Sequence, residues 1–591
     1  MKVLSIGSNR PVNLSLGEHV NAFKTALSEI KDAGFATRLW GKDPTLWREE
    51  GVECELIKDS LGWLSVPGPM RTKVAELTTF ADGIKGEGYT NVVVLGMGGS
   101  SLAPEVMAQI FGQREGYPKL TVLDSTDPEA VGRVTKLIEP AKTLFVVSSK
   151  SGTTIEPLSS LDYFYALVSS EKSERAGENF IAITDEGSTL VSLAQKLNFR
   201  KVFLNPGDIG GRYSALSYFG LVPAVLSGID IDALLASALQ EAEDSGEGAD
   251  LSKNPAIFLG AALGSLFREG RDKITFIMSE ELQPFGLWLS QLLAESTGKD
   301  RVGLVPIVGE PIGGVEDYAK DRVFVHIGTG FLEEHVIELL YYLEQAGHPI
   351  ISVRLDDLHD LGGEFLRWEI ATATAGFVMG INPFDQPDVE TAKKLTLSFL
   401  ESISMSAGGG FQGGIVIKGE NLNISLGDST LERIPSRRRK YVGASAIEDF
   451  LALVKEGDYI SLLSYADSEN RAINGMLTGL RFILRNKTKA ATQLGYGPRY
   501  LHSTGQLHKG GSDNGVFFMV LRAKPGEGEE NITIPEKDYT FYDLESAQAN
   551  GDLGALQAKG RRVAFIEVKT TFEAAMNELH SLIVSPPTPR N

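Results

Sequence analysis

The sequence predicts an α/β protein built on doubly wound parallel sheets. Three observations predict it: apolar runs of strand length recur along the chain, helix-patterned sequence follows each of them, and two of the strand-to-helix junctions are rich in Gly or in Ser and Thr. After a mostly helical lead-in over residues 1–60, runs at Asn91–Leu95, Leu120–Asp124, Thr143–Val147, Phe180–Thr184 and Lys201–Leu204 read as strands. Their alternation with helices implies a parallel sheet covered on both faces and defines a first unit over residues 61–235.

A second cycle begins near Asn254 and occupies the unit 236–430. Ile274–Met278, Gly303–Val308, Arg322–Ile327 and Pro349–Val353 read as its strands, with helices such as Phe331–Ala346 between them. The architecture repeats without obvious repetition of sequence, so two similar subdomains with a shared cleft are expected. Residues 404–427 are rich in Gly and Ser and read as a boundary, and the basic run Arg433–Lys440 reads as a solvated linker. A third α/β unit follows over 441–591: a helix through Ala446–Glu456, a strand at Asp458–Tyr465, a helix through Arg471–Arg485, and strands at Lys489–Gln493, Gly515–Leu521 and Arg562–Val568. The Pro-rich tail Ser585–Pro589 is expected to fray.

Composition excludes several classes of function. At 591 residues and 42% hydrophobic content the chain can bury a large core. A net charge of −20 argues against nucleic-acid binding, which needs a basic surface. The single cysteine, Cys54, allows neither a disulfide framework nor a thiolate metal cluster and fits a reducing compartment. No stretch approaches the ~20 apolar residues of a membrane span and no signal-type leader is seen. A cytoplasmic protein without membrane or nucleic-acid partners is therefore expected.

Ser148-Ser-Lys-Ser-Gly-Thr-Thr154 directly follows the apolar strand Thr143–Val147 and precedes a helix that starts at Glu156-Pro157. Free backbone N–H groups, hydroxyls and Lys150 converge there on a helix N-terminus, a place that holds an anion. A second turn, Gly96-Met-Gly-Gly-Ser-Ser101, follows Asn91–Leu95 and leads into the helix Leu102–Phe111; its glycines let backbone approach a ligand. Each could be an ordinary strand-to-helix turn. Two in succession point to a phosphorylated small molecule at the carboxyl ends of parallel strands.

Four further segments carry groups with chemical potential. Glu295 ends the apolar helix pattern from Phe285, with Gly298 as its stop; a carboxylate there is partly desolvated and suits a general base, or is simply solvated at a helix end. Arg212 in Gly-Gly-Arg-Tyr-Ser can aim a fork of donors at phosphate or at a developing oxyanion, or serve as a structural ion-pair partner. Asn382–Glu390 is a polar turn entering a helix that bears Lys393; helix-capping Asp and surface Lys are its plainer reading. His502 and His508 share the Gly-rich loop Tyr500–Gly511, where an imidazole can shuttle protons. Metal binding competes, but Lys509 beside them would repel a cation and no acidic ligand sits in the motif.

Taken in order, LGMGGSSLAPEV, SSKSGTTIEP, GGRYSALS, QLLAESTGK, INPFDQPDVETAKK and GYGPRYLHSTGQLHKGG resemble the glucose-6-phosphate isomerases of the sugar isomerase (SIS) fold. The resemblance covers nearly the whole chain and is closest to the isomerase portion of the bifunctional transaldolase/glucose-6-phosphate isomerases; the chain is too short to carry the preceding (β/α)₈ part as well. It implies two SIS-type subdomains plus a C-terminal unit, and interconversion of glucose 6-phosphate and fructose 6-phosphate without a cofactor or metal. By motif, Ser149, Lys150, Ser151 and Thr154 correspond to the family's phosphate loop, and Gly99 and Ser100 close the sugar site. Glu295 corresponds to the family's base, Arg212 to the arginine near the reacting carbons, and Gln386 and Lys393 to the Asp-Gln motif and its lysine, although Pro387-Asp388 replaces Trp-Gly.

One departure concerns the ring-opening histidine. In the family pattern it follows a Gly-Glu-Pro stretch, but here Gly309-Glu310-Pro311 is followed by Ile-Gly-Gly-Val. The loop carrying His502 and His508 looks like the missing segment moved into the C-terminal unit, with His502 as ring opener and His508 as a second candidate that contacts substrate. Two other readings share the phosphate loop: an isomerase acting on mannose 6-phosphate or an amino-sugar phosphate, and a non-catalytic sugar-phosphate sensor. The resemblance also points to a homodimer, which no residue pattern in the chain itself establishes.

Overall fold

The computed structural model of the chain describes residues 4–7, 10–49, 51–330, 333–404, 414–435, 442–525 and 531–584. The expected linker core at 436–440 and the Pro-rich tail lie outside them. Three sheets organise the chain, and the amino terminus starts in a sheet that the chain completes only much later.

Strands β1 (Leu4–Ile6) and β2 (Val12–Ser15) pair antiparallel at the edge of that sheet, where the lead-in had been expected to be mostly helical. Val12 and Leu14 face inward and are fully buried, but four residues are too few for their alternation to stand out. The next sheet holds β3 (Asn91–Gly96), β4 (Lys119–Leu123), β5 (Thr143–Ser148), β6 (Phe180–Asp185) and β7 (Lys201–Asn205) in the order β4-β3-β5-β6-β7, all parallel. Its central strands β3, β5 and β6 are buried on both faces, which is why Val92–Leu95 and Leu144–Val147 read as continuous apolar runs. The chain leaves β3 toward β4 and returns to β5 on the other side of β3, so the loops after β3 and β5 flank a topological switch point.

β8 (Lys273–Met278), β9 (Val305–Ile307), β10 (Arg322–Thr329) and β11 (Ile350–Leu355) complete the first-begun sheet in the order β1-β2-β11-β10-β8-β9. Behind it the helix Leu361–Met379 is buried along almost its whole length and packs on the helix Pro255–Arg268. Its Arg367 is fully enclosed and stays charged because Glu241 and Glu364 each approach to 2.6 Å.

The third sheet contains β12 (Ile415–Lys418), β13 (Leu422–Leu426), β14 (Tyr459–Tyr465), β15 (Ala491–Gly497), β16 (Gly515–Leu521) and β17 (Arg562–Val568), ordered β12-β13-β17-β16-β14-β15. β12 and β13 fall in the stretch expected to be a boundary. They pair antiparallel with each other, and β13 pairs onto β17, so Gly419 serves a hairpin turn at a sheet edge. Ion pairs tie this sheet to the unit of β3 to β7: Arg133 forks onto Asp467 at 2.7 and 2.9 Å, and Arg499 reaches Asp124 at 2.7 Å and Glu105 at 2.8 Å. Arg499 immediately precedes the histidine segment, so docking of the third sheet and placement of His502 are one event.

Candidate active site

The loops after β3 and β5 open on a cleft of about 630 Å³, large enough for a hexose phosphate. Gly99, Ser100, Lys150, Ser151, Thr154, Arg212, Glu295, Gln386, Lys393 and His502 all line it. The sequence-expected residues therefore come together from all three sheets and their connecting segments. Two do not line it. Ser149 is buried inside its own loop, where its Oγ accepts from the Gly152 amide at 3.1 Å and donates to Thr154 Oγ1 at 3.2 Å. His508 lies in the core of the third unit against Phe517, Tyr500 and Tyr459, with Gln493 Oε1 3.3 Å from its Nε2. Burial, with Lys509 and Arg561 nearby, pushes that imidazole far below its usual range. The expectation that His508 touches substrate is corrected: an aromatic-flanked core position reads like a loop position when only its Gly neighbours are seen.

The end of the cleft that carries Ser151–Thr154 is built on the 18-residue helix Ile155–Lys172, whose N-terminus suits an anion. Lys150 is held beside it by Asp185 and donates to the Gly207 carbonyl at 2.9 Å. The opposite turn needs glycine for contact reasons: a Cβ on Gly99 would fall 1.9 Å from the Gly211 carbonyl oxygen. That contact sets the Gly-rich turn directly against the segment carrying Arg212.

Arg212 is 4% exposed and fully engaged. Its Nε donates to Ser296 Oγ at 2.7 Å, Nη1 to Gln386 Oε1 at 2.9 Å, and Nη2 to the carbonyls of Pro383 and Asp385 at 2.7 and 3.0 Å. Nη1 also stands 3.4 Å from Glu295 Oε1. Glu295 occupies the last turn of the helix Phe285–Thr297, where the helix dipole disfavours a carboxylate and a guanidinium offsets it. Its side chain is only 14% exposed, so it faces the cleft and not bulk solvent. Gln291, one turn earlier, donates to Glu295 Oε2 at 3.0 Å and to the His502 carbonyl at 2.8 Å, linking base and histidine segment.

Sequence reasoning missed three supporting groups: Gln291, Glu156 and Lys299. Glu156, read only as a helix start, lies 3.0 Å from His502 Nε2 and accepts from Gln548 Nε2 at 2.7 Å. Burial raises the Glu156 pKa, but the adjacent His502 and Lys393 outweigh it and hold the carboxyl below its ordinary range. Lys299, the last residue of the quoted QLLAESTGK motif, is 2% exposed and binds Asp385 Oδ1 at 2.7 Å, pinning the turn that grips Arg212. Burial and Arg212 depress it to about 8 against the pull of Asp385. The quoted motifs themselves were the available signal for all three.

A doubly wound sheet with a hydroxyl-lined loop at its switch point, a carboxylate paired with a locked guanidinium and an imidazole paired with a second carboxylate define an enzyme-like site for a small phosphorylated molecule. Residues 68–305 match the family model described as phosphoglucose isomerase. A glucose-6-phosphate isomerase of Carboxydothermus hydrogenoformans is 32% identical over 400 residues, which are 58% of this chain and 85% of that protein. One from Rubrobacter xylanophilus is 29% identical over 397 residues, 58% of this chain and 89% of that protein. The chain belongs to the phosphoglucose isomerase family. Among solved structures, a hypothetical protein of Thermus thermophilus superposes with a TM-score of 0.55 at 26% identity, covering 66% of this chain and 99% of that one. A Chlamydia trachomatis glucose-6-phosphate isomerase shares the fold at a TM-score of 0.51, with 19% identity over 68% of this chain and 90% of that one. The family match ends at residue 305, so His502 lies outside it.

Proposed function

We propose that the cleft interconverts D-glucose 6-phosphate and D-fructose 6-phosphate by ring opening followed by proton transfer through an enediolate. The observation that carries this reading is the Glu295 carboxylate 3.4 Å from an arginine held in place by four hydrogen bonds, in the cleft that also holds Lys150, Ser151 and Thr154. A base and a rigid cation side by side suit removal of a proton from carbon next to a carbonyl, because the cation stabilises the charge that reaches oxygen.

The steps follow from the placement of each group. Ser151, Thr154 and Lys150 hold the phosphate and fix the sugar's register in the cleft. His502, oriented by Glu156, moves the proton between O1 and the ring oxygen, with Lys393 lining the same part of the cleft. Glu295 takes the proton from C2 as the C1 carbonyl oxygen gains charge beside Arg212, then returns it to C1 as the C2 carbonyl forms and the O2 proton passes to O1. Substrate and product differ only in proton positions, so the step needs no oxidant or added group. Every residue named comes from one chain. The reading thus requires nothing from a second copy, and the homodimer suggested by resemblance is a separate question for sedimentation.

A coupled assay with purified chain and glucose 6-phosphate tests the reading. Turnover should exceed that with mannose 6-phosphate or glucosamine 6-phosphate, and sugar-phosphate binding without turnover on any of the three would leave a sensor instead. We further read the chain as nearest the isomerase portion of the bifunctional transaldolase/glucose-6-phosphate isomerases, on the strength of the motif that carries His502.

A further inference from the structure

The sheet that contains β8 to β11 has a switch point of its own. From β8 the chain runs outward to β9 and then crosses back to β10 on the far side of β8, so the carboxyl ends of β8 and β10 part. Open α/β sheets take ligands in such a crevice. Here it has a volume of about 860 Å³ and shares no lining residue with the first cleft. The helix Phe285–Thr297 separates them: it begins shortly after β8 and carries Glu295 about 15 Å further along its axis.

His326 distinguishes this crevice from a packing gap. It is 6% exposed, follows Phe324 along one face of β10 and lines the crevice, yet its ring has no hydrogen-bond partner among the described residues. Burial lowers its pKa to about 4, so the ring is neutral and offers one donor and one acceptor. Gly328 makes room for it, since a Cβ there would lie 2.8 Å from His326 Cε1 and 3.0 Å from Nε2. Ser279, at the end of β8, lines the crevice beside it, with its hydroxyl shielded from solvent and close to the Glu281 carboxylate. Buried polar groups in folded proteins are hydrogen-bonded, and the unpartnered ring of His326 on this crevice calls for a partner.

The surrounding charges select its class. Glu280, Glu281 and Glu333 line the crevice, Glu281 accepting from Thr329 Oγ1 and Glu333 lying 3.2 Å from His335 Nδ1, while the one arginine that lines it, Arg354, is taken by Asp356 at 2.8 Å. A phosphate would be repelled. Carboxylates, imidazole and hydroxyl above an apolar floor of Ile277, Met278 and Val353 instead match a molecule bearing several hydroxyls, with or without an ammonium group. We propose that the crevice between β8 and β10 is a second small-molecule site that takes an unphosphorylated sugar or amino sugar through His326, Ser279 and Glu281.

Saturation-transfer NMR and calorimetry on the full chain, with D-glucosamine, D-glucose and inorganic phosphate as probes, test this. The expected result is saturable binding of D-glucosamine or D-glucose, weakened at least about tenfold in His326→Leu and in Glu281→Gln and unchanged in Lys150→Ala. Isomerase turnover of the two crevice variants should match the parent, which also reports their folding; if His326→Leu fails to fold, Glu281→Gln decides alone. Three results overturn the proposal: no saturable binding of either sugar, binding that survives the crevice variants, or binding lost in Lys150→Ala, which would put the probe in the first cleft. Phosphate binding lost in His326→Leu would overturn the ligand class.

Discussion

His502 Nε2 lies 3.0 Å from Oε1 of Glu156, and the two residues lie on segments that follow strands of different sheets. The carboxylate belongs to the helix after β5 and the imidazole to the segment after β15, so the groups proposed for phosphate binding and for ring opening meet at one hydrogen bond. Replacing Glu156 with Gln keeps a side chain of the same shape but removes the charge that orients the ring. Turnover of ring-closed glucose 6-phosphate should fall roughly 10-fold to 10²-fold, with a smaller effect on KM, on the scale set by positioned acid–base groups. Equal loss in both parameters would place Glu156 in substrate binding.

His502→Ala and His508→Ala should separate cleanly. The first should cut turnover by about 10²-fold or more while leaving the melting curve near that of the parent. The second removes a ring packed among Phe517, Tyr500 and Tyr459, so it should cost roughly 2–4 kcal/mol of stability with little change in turnover of the folded fraction. The reverse pattern would return the ring-opening role to His508.

For Glu295→Gln, turnover should drop at least about 10²-fold while KM for sugar phosphate stays within a few-fold, because the phosphate loop is untouched. Loss of exchange between the substrate C2 hydrogen and deuterated solvent, followed by NMR, should accompany it. Persistence of that exchange would move the base elsewhere.

Lys299 supplies the pH dependence. Its folded pKa of about 8 lies below the ordinary lysine value of 10.5, so between those values the unfolded chain holds the proton more tightly than the folded one. With more protons bound when unfolded, this group makes stability rise with pH across about 8 to 10.5 and contributes no slope below. Activity should move the other way, because neutral Lys299 releases Asp385 and loosens the turn that grips Arg212. Melting temperatures and kcat measured from pH 7 to 10 should show opposing trends, and Lys299→Met should flatten the stability term. A kcat limb unmoved by Lys299→Met would remove the lysine from this role.

Arg499→Met should leave Glu105 and Asp124 buried without their cation, a loss of roughly 3–5 kcal/mol on the scale of broken buried pairs. Protease sensitivity should appear first around the third sheet.

Much of this site was legible in the sequence because its glycine, hydroxyl and charged residues stand at strand-to-helix junctions, where the chain must turn and backbone is exposed. Gly99, Lys150, Ser151, Thr154, Arg212 and Glu295 occupy such junctions or helix ends and meet at one cleft. Glu156 escaped notice because a first-turn glutamate has a sufficient local reason to be there, stabilising the helix terminus, and only the three-dimensional structure shows His502 opposite it. Strands β1, β2, β12 and β13 were missed for a different reason. They are three to five residues long and form two hairpins at sheet edges, where antiparallel pairing tolerates polar and glycine-rich neighbours, so neither length nor apolar continuity marks them. The inward face of Ser149 and the core position of His508 likewise depend on neighbours distant in sequence.

Because the imidazole arrives on a segment anchored through Arg499, the proposed ring-opening step depends on how firmly the third sheet is docked. Prising that sheet away by tension or mild denaturant should silence the handling of cyclic sugar before it silences Glu295. The partly opened molecule would then act as a filter, converting only the scarce linear form of its substrate.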